Sequence, residues 1–343
     1  MKDSWTNLLV LRFSSIGDII QTTSVLNTLK KYYPDISINY VTLSKYEPLL
    51  IGHPSIDKLY AFDTSNTYSS LVELRKMIKQ KNFDLILDLH NSARTKIIRR
   101  LSNKMQSLYV AKPRVKRFSL FLNHQNKFSS SFNQKAWLHK PIEKFLPKKY
   151  KISKISLSIS SEEKKLAIKY LNQNGLKNRG YFVVIPGAAW RQKQWGIEKY
   201  ISLIKQFIVK YDLTPILLGS ETDTICNDIN QGLDSESINM VGKTDLRQSM
   251  AIISQSSLCI GSDTGFIYAS EALGINTIAI LGPTSIETGA GVFSKNTINI
   301  EDNNLWCRPC SQNGSFPCYR AKQYCMSNIT PKEVIKNVEK ILA

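Results

Sequence analysis

Residues 261–285 read GSDTGFIYASEALGINTIAILGPTS, and their alternation of apolar and polar segments indicates the class of fold. An apolar run ends in the small polar turn at residues 263–265, and a helical pattern follows up to Leu273. A second apolar run, residues 277–281, ends in Gly-Pro-Thr-Ser. Strand, polar turn, helix, strand and turn in this order are typical of a parallel sheet with ligand-binding loops at the carboxyl ends of its strands. The stretch therefore predicts two neighbouring loops of one site.

The same alternation runs through the rest of the chain. Residues 7–13 form an apolar run that ends in a polar turn, and the helical pattern that follows is stopped by Pro34. The pattern predicts an α/β protein with two doubly wound, Rossmann-like domains facing an interdomain cleft. We expect a basic domain over residues 1–155, a second domain over 156–330 and a C-terminal helix over 331–343.

Composition is that of an ordinary globular protein, with 42% hydrophobic and 21% charged residues in a chain of 343. No run of about 18 apolar residues occurs, so no membrane span is expected. The first residues, MKDSWTNLLVLRF, lack the pattern of a secretion signal. We therefore expect a cytoplasmic protein whose cysteines are thiols or metal ligands rather than disulfides.

The positive charge is concentrated in the first half. Residues 1–160 hold 27 of the 46 Lys and Arg residues and 10 of the 27 acids, whereas residues 94–154 hold 17 basic residues and one acid, Glu143. Such a field attracts phosphate-bearing partners: nucleic acid, anionic lipid or a phosphorylated saccharide. Within it, residues 112–135 are predicted to be irregular and mix cations with aromatic side chains. This segment suits either contact with acyl chains and phosphates or packing on its own domain.

Two residues are the candidates for chemistry. Asp18 follows the first strand, where it could act as a general base or only as a favourable acid at a helix N-terminus. Lys193 follows a strand that ends in small residues, which allow a ligand to approach the backbone. Neither a Gly-x-Gly-x-x-Gly nor a P-loop occurs, so nucleotide folds with those motifs are disfavoured.

Four motifs occur in an order that closely resembles the heptosyltransferase-like glycosyltransferases of family 9, from about residue 7 to about residue 340. They are Ser14-Ser15-Ile16-Gly17-Asp18-Ile19-Ile20, Pro186-Gly187 with Lys193-x-Trp195, Asp263-Thr264-Gly265 with Ala272-Leu273-Gly274, and Gly282-Pro283-Thr284. The resemblance implies a GT-B architecture, an inverting mechanism without a catalytic metal and a nucleotide-sugar donor, usually ADP-heptose. It makes residues 1–155 the acceptor-binding domain and residues 156–330 the nucleotide-sugar-binding domain. It makes Asp18 the base that deprotonates the acceptor hydroxyl and Lys193 the residue that steadies the departing diphosphate. The candidate substrate-binding residues are Ser14, Ser15, Gly17, Pro186, Gly187, Ala188, Ala189, Arg191, Asp263, Thr264, Gly265, Tyr268, Gly282, Pro283 and Thr284.

This chain departs from the family pattern at two places. Tyr268 stands where the family usually has His, so a hydrogen-bond donor is kept but titration near neutral pH is lost. Ala188 and Ala189 replace hydroxyl residues in the phosphate loop. Both changes concern the donor sugar more than the type of reaction.

Four of the six cysteines, Cys307, Cys310, Cys318 and Cys325, lie within 19 residues. The first pair has metal-ligand spacing, so a structural zinc or iron site is one hypothesis, and four reduced thiols in a loop is the other.

The function predicted from these patterns is inverting transfer of a sugar onto a phosphorylated glycolipid such as the lipopolysaccharide inner core. We expect the enzyme to lie at the inner face of the inner membrane and to need no cofactor for catalysis. A transferase that uses another nucleotide sugar with a protein or capsular acceptor is the alternative. A basic nucleic-acid-binding protein is a distant third, because it leaves the loops after the strands unexplained.

Overall fold

The computed structural model describes residues 5–63, 67–102, 105–176 and 180–342. The chain divides into two compact units, one made of residues 1–113 and 133–158, and the other of residues 114–132 and 159–343. Residues 114–132 thus pack with the second unit although they lie inside the first half of the chain. The domain boundaries expected at residues 155 and 330 stay a prediction. The composition of the sequence did not indicate that residues 114–132 belong to the second unit.

The first unit is built on a parallel sheet. Its strands are β1 (Asn7–Leu11), β2 (Ser37–Leu43), β3 (Lys58–Phe62), β4 (Leu85–Asp88) and β5 (Gln106–Tyr109). Their order is β3-β2-β1-β4-β5. Leu8 to Leu11 are fully buried, which is typical of a central parallel strand covered on both faces.

The helices of residues 16–139 are α1 (Ile16–Tyr32), α2 (Thr67–Gln80), α3 (Ala93–Leu101), α4 (Arg114–Asn123) and α5 (Gln134–His139). Ser15 is the N-cap of α1, and its side chain and backbone N–H face the Asp18 carboxylate in a capping box.

The second unit carries a larger parallel sheet. Its strands are β6 (Tyr181–Ile185), β7 (Thr214–Leu217), β8 (Ile238–Asn239), β9 (Cys259–Ser262), β10 (Thr277–Ile280) and β11 (Thr297–Ile300), in the order β11-β10-β9-β6-β7-β8. The helices that follow in the chain are α6 (Ser161–Gln173), α7 (Ile197–Tyr211), α8 (Ile225–Gly232), α9 (Leu246–Ile253), α10 (Gly265–Ala272), α11 (Tyr324–Ser327) and α12 (Pro331–Leu342). α7 shows why these helices form: Tyr200, Leu203, Ile204 and Phe207 recur at helical spacing and are all buried in one core cluster.

In both sheets the order in which the chain adds parallel strands reverses at an internal point. In each sheet the chain first winds outward on one side and then returns to wind on the other, so the reversal lies between β1 and β4 in the first unit and between β6 and β9 in the second. Ligands of doubly wound sheets bind at the carboxyl ends of the strands beside this point. The loops after β1, β6 and β9 are therefore the places to look for a site.

The expectation of two doubly wound α/β sheets is confirmed, but five elements were not predicted, namely α4, α5, α11, β5 and β11. The irregular structure expected at residues 112–135 is wrong for residues 114–123, which form α4. Only Ser119 and Leu120 of that helix are buried, so no sustained apolar period shows it in the sequence. β5 and β11 are edge strands with partly exposed residues, which weakens their signal. Across the described ranges, no helix is long and apolar enough to cross a membrane.

Candidate active site

Asp18 lies at the switch point of the first sheet and is held by an arginine. The Arg12 guanidinium is 2.5 Å from Asp18 Oδ2, and Ser15 Oγ donates to the same oxygen at 3.1 Å. Arg12 itself is buried and also donates to the carbonyls of Leu89 and Ser14, at 2.7 Å each. The carboxylate therefore has a fixed position, while its side chain is 39% exposed and open to a ligand.

The electrostatics of this site keep Asp18 ionised. Burial alone raises the pKa of Asp18, but the charge of Arg12 and the hydrogen bonds from Ser15 outweigh it, and the net pKa lies below its ordinary value. A carboxylate in this state can accept a proton at neutral pH.

The neighbouring predicted residues serve the local structure. Ser15 caps α1, the Ser14 carbonyl accepts from Arg12, and Gly17 is buried in the first turn of α1. Their role in substrate binding stays a prediction.

In the second unit, Asp263 is the centre of a polar cluster. Lys193 Nζ lies 2.7 Å from Asp263 Oδ2 and donates to the Asp263 carbonyl at 2.8 Å. Thr284 Oγ1 donates to Oδ2 at 2.8 Å, and the Tyr268 hydroxyl donates to Oδ1 at 2.7 Å. The strands β6, β9 and β10 are neighbours in the sheet, which is why loops distant in sequence meet at this carboxylate.

The cluster is nearly closed to solvent, since Asp263 is 5% exposed and the Lys193 side chain 14%. Burial raises the pKa of Asp263, but the Lys193 charge and the hydrogen bonds of Lys193, Tyr268 and Thr284 together hold it below its ordinary value. The structure thus brings together Lys193, Asp263, Tyr268 and Thr284, and it gives Tyr268 a defined partner. Thr264 precedes α10 and Gly265 begins it, so both lie directly beside this cluster.

An arginine that the sequence did not single out braces the turn at residues 282–284. Arg308 Nε donates to the Gly282 carbonyl at 2.5 Å and Nη2 to the Thr284 carbonyl at 2.8 Å. Glu301 pairs with the same guanidinium at 2.7 Å. Pro283 is held in addition by the Cys310 N–H, which donates to its carbonyl at 3.2 Å.

In the loop after β6, the small residue Gly187 is explained by the structure of the protein and not, as expected from the sequence, by the approach of a ligand. A Cβ at Gly187 would lie 2.3 Å from the Asp223 carboxylate, so this glycine is required by a side chain of the protein itself rather than by an approaching ligand. Asp223 in turn accepts from Ser220 N and Oγ, at 2.7 and 2.8 Å. Pro186 is buried, Ala188 is half-buried, and Ala189 and Arg191 are exposed, so their predicted contact with a donor is untested.

The four clustered cysteines line one cavity of about 20 Å³, together with Gln192, Pro283 and Arg308. Within the described part of the chain, no three His, Cys, Asp or Glu side chains are arranged to hold a metal ion. Burial raises the pKa of the Cys310 thiol to about 11. Gln323 Nε2 donates to the Gln192 carbonyl at 2.5 Å, which ties this segment to the loop that carries Lys193.

Sequence reasoning missed Arg12, Asp223 and Arg308. Arg12 had a usable signal, since an arginine that follows four buried apolar residues is almost always paired. Asp223 and Arg308 had none, because their contacts depend on loops brought together by the sheet. Asp18 and the Asp263 cluster belong to different units of the chain.

Two doubly wound parallel sheets, each with a polar cluster at its switch point, define an α/β protein with two Rossmann-like units. The model of glycosyltransferase family 9 (heptosyltransferase) matches residues 71–319, which is well over half of the chain. The chain belongs to this family.

Characterised relatives agree with the assignment. Lipopolysaccharide heptosyltransferase 1 of Campylobacter coli is 24% identical over 349 residues, which cover 97% of this chain and 98% of the relative. Among solved structures, a family 9 glycosyltransferase from Veillonella parvula has a TM-score of 0.79 at 20% identity and covers 100% of this chain and 98% of its own. The ADP-heptose lps heptosyltransferase II of E. coli has a TM-score of 0.75 at 21% identity, with 98% of both chains covered. The expected GT-B type fold, with its two parallel-sheet domains, is confirmed.

Proposed function

We propose that the protein transfers a heptosyl group from ADP-heptose to a hydroxyl of a phosphorylated glycolipid, such as the inner core of lipopolysaccharide, with inversion at the anomeric carbon. The observation that carries this proposal is the position of Asp18, an ionised and partly exposed carboxylate at the switch point of the first sheet, in a chain of family 9. Two of the relatives, those from Campylobacter coli and E. coli, are named as lipopolysaccharide heptosyltransferases, which supports the donor and acceptor classes.

In the proposed reaction, Asp18 takes the proton of the acceptor hydroxyl as its oxygen forms the bond to the anomeric carbon. The bond from that carbon to the diphosphate breaks, and ADP leaves with the electron pair. Arg12 keeps the carboxylate ionised and oriented between turnovers. No step in this scheme requires a metal.

We assign the second cluster to the donor. Lys193 and Thr284, a residue of the turn at 282–284, both contact Asp263 Oδ2, and a cation at this position stabilises charge that develops on a departing diphosphate. The ion pair with Asp263 means that Lys193 acts from a fixed position rather than as a mobile side chain. Tyr268 and Thr284 orient the carboxylate on its other sides.

The identity of the donor is tested by thermal unfolding with ADP-heptose, GDP-mannose and UDP-glucose. A ligand that binds only the folded protein raises the melting temperature by mass action. We expect ADP-heptose alone to do so at micromolar concentration, and ADP to be released when a lipopolysaccharide acceptor is added. A shift with a GDP- or UDP-sugar instead would replace the donor and leave the reaction class in place.

We also propose that the enzyme acts at the inner face of the inner membrane, where a glycolipid acceptor would be presented. The strongly basic segment of residues 94–154 supports this location, because the cytoplasmic leaflet is anionic.

We keep a structural zinc or iron site at Cys307, Cys310, Cys318 and Cys325 as a separate proposal. Its support is that all four thiols line the same small cavity. Binding would have to draw the sulfurs together and displace their protons. Elemental analysis of protein purified without chelator, compared with Cys310→Ser and with Cys226→Ser as a buried control outside the cluster, tests it. Less than about one tenth of a metal atom per chain rejects the site.

A further inference from the structure

Helix α4 carries three large apolar side chains in contact with solvent. Val115 is 81% exposed, Phe118 65% and Leu122 61%. The three residues are spaced by three and four positions, which places them on one face of the helix. We call Val115, Phe118 and Leu122 the apolar stripe.

Other residues of α4 and of the segment after it contact the rest of the second unit, so the orientation of the apolar stripe is fixed. Leu120 and Ser119 are buried, at 4% and 6% exposure. Arg117 Nε donates to the Glu287 carbonyl at 3.0 Å, and Asn126 Nδ2, just beyond the helix, donates to Glu287 Oε1 at 2.7 Å. These contacts to the second unit fix the rotation of the helix and leave the stripe outward.

The surroundings of the stripe are exclusively cationic in sequence. Residues 112–135 contain six Lys and Arg residues and neither Asp nor Glu. Arg114, Lys116 and Lys127 are exposed. Lys116 Nζ also lies 5.8 Å from the centre of the Phe128 ring, which in turn packs on Phe132 at 4.7 Å. An apolar face with cations on its borders is complementary to an anionic bilayer, whose phosphates meet the cations while its acyl boundary accepts the apolar side chains.

We propose that α4 docks the enzyme on an anionic membrane by inserting Val115, Phe118 and Leu122 at the headgroup boundary, with Arg114, Lys116 and Lys127 on the lipid phosphates. The inference rests on the proposed function in one respect, namely that the acceptor is a lipid. A nucleic acid would use the cations and the ring of Phe118, but Val115 and Leu122 offer it neither a hydrogen-bond donor, a charge nor an aromatic face. The stripe is what selects the membrane.

The test is co-sedimentation of the full chain with vesicles of phosphatidylglycerol and phosphatidylethanolamine. Val115→Gln/Phe118→Gln/Leu122→Gln removes the stripe while keeping exposed, helix-compatible residues. The matched control is Leu166→Gln/Val209→Gln, which changes two apolar side chains, 59% and 87% exposed, on other helices of the same unit. We expect the stripe variant to lose at least about tenfold in vesicle affinity and the control to lose less than about twofold. Arg114→Gln/Lys116→Gln should lose roughly fivefold per cation at low salt.

Transfer to a water-soluble acceptor fragment without acyl chains separates this inference from the proposed function. The stripe variant should keep wild-type turnover on that acceptor and lose it only on vesicle-bound glycolipid. Unchanged vesicle binding by the stripe variant, or equally strong salt-dependent binding to nucleic acid that the stripe does not affect, overturns the docking proposal. Normal docking without turnover on any acceptor overturns the proposed function instead.

Discussion

Lys193 and Asp263, 70 residues apart in sequence, form a buried ion pair at the switch point of the second sheet. Lys193 reaches both the carboxylate and the carbonyl of the same aspartate, and the stem of Lys193 lies against Gly314, where a Cβ would be 2.8 Å from Lys193 Cγ. The pair therefore joins the loops after β6 and β9 and fixes a cation beside the turn at residues 282–284. Its strength can be measured separately from catalysis.

Lys193→Met should lower the free energy of unfolding by roughly 3 kcal/mol, because it leaves the Asp263 charge buried without its partner. Methionine keeps the length of the stem, so packing against Gly314 is preserved. Urea denaturation gives the value, and the double variant Lys193→Met/Asp263→Asn should regain most of the loss. Equal stability of the single and double variants would show that the ion pair does not bear on the fold.

Tyr268→Phe should cost about 2 kcal/mol of unfolding free energy, since the Tyr268 hydroxyl donates to an ionised carboxylate. Tyr181→Phe is the matched control, because the Tyr181 hydroxyl donates to the neutral Ile252 carbonyl at the same distance of 2.7 Å. The control should cost about 1 kcal/mol. If the two variants are equally stable, Tyr268 is not a support of Asp263, and its place in the site must be explained through the donor.

Arg12 should set the pH dependence of turnover. Its charge lowers the pKa of Asp18, so removing the charge with Arg12→Gln raises that pKa. A base with a raised pKa becomes protonated at higher pH, so the acid limb of the kcat/KM profile should move to higher pH. Arg12→Lys keeps the charge and should leave the limb near its original position. An acid limb that is the same in all three proteins would mean that it does not report on Asp18.

His53 should make stability depend on pH between about 4 and 6.5. The buried ring accepts from the Ser55 N–H at Nδ1, 3.2 Å away, so its proton is on Nε2, which faces Ser156 Oγ at 3.1 Å. Burial lowers the pKa of His53 to about 4, whereas an unfolded histidine has a pKa near 6.5. As the pH falls through this window, His53 binds a proton in the unfolded chain but not in the folded chain. The unfolding free energy therefore falls by about 3 kcal/mol.

The comparison of urea unfolding at pH 7.5 and pH 4.5 measures this effect. His53→Asn should reduce the dependence by the share of His53 and leave that of His90 and His139, whose pKa values burial also lowers, while His124→Asn, a change at an exposed histidine, should leave it unchanged. A wild-type dependence that persists in full in the His53 variant would assign it to other groups.

Much of the fold could be predicted because local patterns and tertiary packing agree. The C-terminal helix expected over residues 331–343 is observed as α12 (Pro331–Leu342), in which the buried residues Val334 and Val338 recur at helical spacing. α4 could not be predicted in this way, because its buried side is only two residues wide and its outward face is apolar. A pattern rule places apolar residues inside, and this helix breaks the rule at the surface proposed to bind lipid.

The sequence could predict only those residues of the candidate site that directly follow a strand along the chain. Asp18 and Asp263 follow strands directly, and a polar residue at that point is visible in sequence. The partners Arg308 and Asp223 are invisible because their contacts cross between loops, and Gly187 was assigned to a ligand although Asp223 fills the space beside it. Loop-to-loop contacts are set by the order of strands in the sheet, which the sequence does not state.

The central claim is that Asp18 is the base of a glycosyl transfer. Its most direct test is Asp18→Asn, assayed for ADP release with ADP-heptose and a lipopolysaccharide acceptor, alongside calorimetric measurement of donor binding. Asp57→Asn, a change at another carboxylate of the first unit that pairs with Lys30 away from the switch point, is the control. We predict that Asp18→Asn lowers turnover by about 100-fold or more with an unchanged donor Kd, and that the control retains activity. Turnover by Asp18→Asn within about threefold of wild type would show that Asp18 is not the base.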